Sequence, residues 1–148
     1  MKLLGFVLLL VPTTVFASCP DLSGRYRVDK DVTFGDSYIL ERTQNGCASF
    51  AEKVVHDDGT IFGPLFVSTD GKMTTYTYAN HLAMTAVYRF TPVGLHTLEI
   101  RLKNDIEFQD STETFVTKNL DDSLTIERRE TNTDGVQTVT VNHARKLP

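Results

Sequence analysis

The 148-residue chain contains no tryptophan and only two cysteines, and its four histidines stand apart from one another. His56, His81, His96 and His143 show no His-x-His or His-x3-His spacing, so neither a metal site nor a metal cofactor is expected. Basic blocks are missing as well. The net charge is −4 with both signs interspersed, which disfavours nucleic acid and anionic lipid as partners. No nucleophile elbow, no cysteine beside a histidine and no distinctive carboxylate pair occurs. The expectation is therefore no catalytic residue, no cofactor and no enzymatic activity. Glu99, Glu107, Glu113 and Glu127 fall mostly on faces expected to point outward. Helical segments are absent too: nowhere do ten residues combine a 3.6-residue apolar period with good helix formers. The longest apolar run, Leu3 to Val11, is too short for a membrane span of roughly 20 residues.

That run belongs to a three-part pattern. Lys2 precedes it, Pro12 breaks it, and the small residues Val15 and Ala17 follow at the spacing of a cleavage site. Residues 1–17 read as a signal peptide and residues 18–148 as one exported domain, periplasmic or secreted. Both cysteines fall in the exported part. In an oxidising compartment Cys19 and Cys47 are expected to bridge, which stabilises a loop of that length by roughly 3–4 kcal/mol in the chain-entropy model. The alternative is that Phe16-Ala17-Ser18-Cys19 resembles a lipobox, with Cys19 acylated as a lipid anchor and Cys47 left as an odd thiol.

What fills the rest is a regular alternation of β-rich runs and turn residues. Expected strands are 22–29, 37–43, 48–56, 60–68, 72–79, 82–90, 96–103, 112–118, 123–130 and 136–144. Gln44-Asn45-Gly46, Asp57-Asp58-Gly59, Thr69-Asp70-Gly71, Asn80-His81, Pro92-Val93-Gly94, Leu120-Asp121-Asp122 and Asn132-Thr133-Asp134-Gly135 separate them. Gly and Asn supply the positive φ of tight hairpins, so these turns join antiparallel neighbours. Period-2 alternation places His96, Leu98, Ile100 and Leu102 on a buried face and Thr97, Glu99, Arg101 and Lys103 on a wet one. Residues 104–111 are the least regular stretch: a loop, a bulge or one more short strand. The fold class is all-β, a single antiparallel up-and-down meander of eight to ten strands. Closing it into a barrel removes both sheet edges.

The opening Cys19-Pro20-Asp21-Leu22-Ser23-Gly24-Arg25-Tyr26 resembles the first strand of the calycin barrels, the lipocalins, fatty-acid-binding proteins and avidins. Tyr26 stands where those families place tryptophan. The resemblance implies a late basic residue packed across that aromatic, with Arg128 and Arg145 as candidates, and an interior pocket open at one end. Without tryptophan an avidin-like biotin cage is not expected, and the short segment 30–36 leaves no room for a helical lid.

Four aromatics suit such a pocket. Tyr76 with Tyr78, and Tyr88 with Phe90, share faces on neighbouring expected strands and form either an apolar ligand wall or ordinary cross-strand packing. On the strand carrying Leu124, Ile126, Arg128 and Glu130 on one face, Arg128 either meets a ligand carboxylate or snorkels at the rim. The expected function is binding of a small apolar or amphipathic ligand inside the barrel. A protein–protein module is the alternative: an enzyme inhibitor acting through acidic hairpin tips at Asp57-Asp58 or Asp121-Asp122 on a basic partner.

Overall fold

The computed structural model describes residues 18–31, 35–77, 82–104 and 106–148, and among them no residue is helical. The expected leader at 1–17 lies outside this set, as do Tyr78 and the Asn80-His81 turn. Ten strands are described: β1 (Gly24–Val28), β2 (Tyr38–Asn45), β3 (Ser49–His56), β4 (Ile61–Ser68), β5 (Asp70–Thr77), β6 (Leu82–Thr91), β7 (Gly94–Lys103), β8 (Glu107–Lys118), β9 (Leu124–Asn132) and β10 (Gln137–Lys146). All lie in one antiparallel sheet in the order β4-β3-β2-β1-β10-β9-β8-β7-β6-β5. Pairing of β1 with β10, from Tyr26 opposite Lys146 to Val28 opposite Ala144, curls the sheet around. The result is a nearly closed barrel whose only unsealed seam among the described strands runs between β4 and β5.

Turn chemistry explains most of the connections. Gly46, Gly59 and Gly135 take positive φ in the β2–β3, β3–β4 and β9–β10 turns, which glycine does without steric cost. The β6–β7 turn uses glycine differently: a Cβ on Gly94 would lie 1.8 Å from the Val116 carbonyl oxygen, so β7 starts hard against β8. The irregular stretch resolves into the start of β8. Arg101 pairs with Asp110 but Leu102 with Phe108, leaving Gln109 as the extra residue of a bulge.

Thr69-Asp70-Gly71 departs from the expected pattern, because it makes no hairpin. Thr69 is buried, its N–H donating to the Ala48 carbonyl (2.9 Å) and its hydroxyl to the Cys47 carbonyl (2.6 Å). Those two bonds pin the corner to the β2–β3 turn. The chain then passes into β5 without folding back on β4, and the Asp70–Met73 register shift turns β5 onto β6. Both seam strands are left with an unpaired edge. On β4 that edge carries Pro64, which has no N–H to offer a further strand, and the adjacent Gly63 comes so close to the Glu52 carbonyl that a Cβ there would clash at 2.7 Å.

Leu22, Tyr26, Val28, Leu40, Leu95, Val116, Leu124, Ile126 and Ala144 belong to the buried core at one end of the barrel. The face assignment on β7 is the reverse of the one expected. Leu95, Thr97, Glu99 and Arg101 point inward, whereas Leu98 is exposed and Ile100 and Leu102 are half-buried on the outer surface. His96 stacks flat on Phe115 on that outer face, rings 4.6 Å apart, and contacts Glu113 at 2.8 Å. The alternation is real; an interior that is partly polar chamber inverts its sign.

Candidate functional site

Inside the sheet lies a cavity of about 570 Å³. One end rests on the apolar core through Leu40, Phe50, Leu95, Val116 and Ile126, and the wall beyond is polar. Inward positions two residues apart on facing strands carry Arg42, Glu52, Glu99, Arg101, Arg128 and Glu130 into it. Phe62 and Leu65 of β4 belong to the wall and to the exposed surface at once, so the chamber opens toward the seam.

Local pairing positions the central charges. Arg42 and Glu52 sit opposite each other across the β2–β3 hairpin. Arg42 donates from Nε (2.9 Å) and Nη2 to the same Oε2 of Glu52, and its guanidinium lies 4.9 Å over the Phe50 ring. Phe50 in turn meets Tyr88 of β6 edge-on at 6.0 Å, across the barrel. The Tyr88 hydroxyl donates a long bond, 3.5 Å, to Glu99 Oε1. A chain of contacts thus runs Glu52–Arg42–Phe50–Tyr88–Glu99 through the interior. Only 4% of the Arg42 side chain is exposed, and its Nη1 has no acceptor among the described residues.

Burial sets the titration of these groups. Removal from water raises the Glu99 carboxyl above its usual range, against the opposing pull of Arg101 and Arg128. Burial also raises the Tyr88 and Tyr38 hydroxyls, aided by the nearby carboxylates of Glu99 and Asp31 respectively. Tyr38 donates to Asp31 Oδ2 at 3.1 Å. At the chamber's edge His56 Nδ1 lies 2.6 Å from Asp36 Oδ2 and meets the Phe62 ring edge-on at 5.3 Å.

Of the residues singled out from the sequence, Tyr88 and Arg128 line the cavity. Tyr76 and Phe90 are partly buried against the core, outside the cavity wall. Tyr78 is not among the described residues. Register places Tyr76 opposite Met84 on β6, and Tyr76 and Phe90 pack against the core cluster to which Tyr88 belongs. Glu99, assigned to the outside by its strand's alternation, is an inward residue. Arg145 lies opposite Arg27 on the outer face, and the basic side chain beside Gly24 is that of Lys146. Cys19 and Cys47 are joined, sulfur to sulfur at 2.07 Å. The acidic tips are engaged within the chain. Arg27 holds Asp57 through two bonds of 2.5 and 2.7 Å and lowers its pKa, and Lys118 reaches Asp122 at 2.8 Å.

Arg42, Glu52 and Glu99 were missed. The Arg42–Glu52 signal was present: opposite charges each five residues from Cys47, the midpoint of the 46–48 turn, and each two residues from an apolar inward neighbour, Leu40 and Phe50. Glu99 left no such mark, because its flanking residues on the inward face are Thr97 and Arg101.

Set against known proteins, the chain matches no family model, no curated protein and no solved structure. Fold and cavity define an all-β, nearly closed barrel with an internal, partly polar chamber.

Proposed function

We propose that this is an exported binding barrel that holds a small apolar or amphipathic ligand in its interior. The observation that carries this reading is the chamber itself: about 570 Å³, within the size range of small-molecule sites, with an apolar floor and a few placed polar groups. A core packed for stability alone leaves no void of that size. The calycin-like opening of the chain and the leader-like residues 1–17 agree with it, and the Cys19–Cys47 bond suits an oxidising compartment. The inhibitor alternative draws less support, since Asp57 and Asp122 are already matched by Arg27 and Lys118.

Native mass spectrometry of the protein, purified from its own host without detergent, tests the reading. A co-purifying small-molecule mass that is lost or reduced in Tyr88→Ala is the expected result. A ligand-free mass, with no uptake of added apolar probes by the folded protein, would overturn it.

A further inference from the structure

We propose that the ligand's polar end is uncharged: a carbonyl or hydroxyl oxygen that accepts a hydrogen bond from Arg42 Nη1, in preference to a carboxylate. The inference rests on the interior-binding reading above and names the ligand class for that site.

A buried arginine in an apolar-floored chamber invites an anion, but here its charge is already matched. Glu52 takes Nε and Nη2 on a single oxygen, and the Phe50 ring covers one face of the guanidinium. What remains is one buried N–H group without an acceptor among the described residues. A buried donor rewards any oxygen brought to it, charged or not.

The other two arginines of the wall stand among carboxylates, and Arg128, like Arg42, has a buried Nη1 with no hydrogen-bond partner among the described residues. Arg101 Nε lies 2.5 Å from Asp110 Oδ1. Arg128 exerts its pull on Glu99, and Glu130 lies two residues along the same inward face. In all, three arginines on the wall face four carboxylates, those of Asp36, Glu52, Glu99 and Glu130, and Asp36 is paired with His56. A ligand carboxylate entering this wall would lose its water where carboxylates outnumber arginines four to three, with Glu52 and Glu99 as close like charges. A neutral oxygen takes the Arg42 bond without that penalty.

The test compares a matched pair of probes, dodecanol and dodecanoate, by calorimetric titration at neutral pH into the wild-type protein and Glu52→Gln. Dodecanol is expected to bind at least about tenfold more tightly, a preference worth about 1.4 kcal/mol. In Glu52→Gln, which removes the matching charge while keeping side-chain size, that preference should collapse or reverse. Equal or tighter wild-type binding of dodecanoate overturns the inference and leaves the interior-binding reading standing. Binding of neither probe removes that reading itself. Should Glu52→Gln fail to fold, as judged by circular dichroism, the wild-type ratio alone decides.

Discussion

At the scale of single residues, Glu99 links stability to pH. Its carboxyl is buried beside Tyr88, and its pKa lies above the ordinary value of 4.5 in the folded barrel. A raised acid binds its proton more tightly in the folded state, so its contribution to stability is present below pH 4.5 and lost as pH rises through the folded pKa. Glu99→Gln removes that loss. The variant should match the wild type at the acid end of this window and become the more stable of the two above it, by an amount on the order of 1 kcal/mol. Urea midpoints of both proteins across the window measure this, and a pH-independent difference would mean that Glu99 is not desolvated. The same residue marks a limit of sequence reading. Alternation along 96–103 was legible, but which face turns inward was not. Apolar side chains mark the inside only where the inside is dry; here Thr97, Glu99 and Arg101 line a chamber while Leu98 packs beside Val87 on the outer surface.

Among elements, the β2–β3 turn acts as the tie point of the barrel. The disulfide attaches the segment before β1 to it, and Gln44 reinforces the attachment, accepting from the Leu22 N–H at 3.0 Å and donating to the Pro20 carbonyl at 3.1 Å. Thr69 attaches the β4–β5 corner to the same turn. The sulfur bridge and the hydrogen bonds constrain the chain independently. Replacing both Cys19 and Cys47 with Ser should therefore cost roughly 3–4 kcal/mol by the chain-entropy argument while leaving a cooperative unfolding transition. Denaturant melts of the double variant test this; loss of the β-sheet circular dichroism signal in the absence of denaturant would show that the hydrogen bonds cannot hold the turn alone. Most of the expected inter-strand breaks coincide with observed ones to within a few residues, because Gly, Asn and Asp act locally through φ and Asx turns. Thr69-Asp70-Gly71 carries the same local signature, yet its geometry is decided by partners 21 and 22 residues away, which no local signal reveals.

For the whole molecule, the seam divides the barrel into regions of unequal stability. β4 is paired on one side only, and Ile61, Phe62 and Phe66 on it are 56%, 60% and 75% exposed, with Met73 of β5 at 71%. Opening a local element costs less where few apolar contacts are lost and one ladder of hydrogen bonds is missing. β7 and β8 are long, paired on both sides, and anchored by Leu95 and Val116 in the core. Amide hydrogen exchange should accordingly give β4 and β5 distinctly lower protection than β7 and β8 in the ligand-free protein. The difference also bears on the chamber, whose wall at Phe62 and Leu65 belongs to β4. A ligand seated there adds contacts to the weaker side, so added probe should raise protection in 61–67 more than in 112–118. Uniform protection around the barrel without ligand would mean that the seam is sealed in solution. Protection that rises equally in both regions would mean that binding stabilises the barrel globally, without preferential stabilisation of the β4 wall.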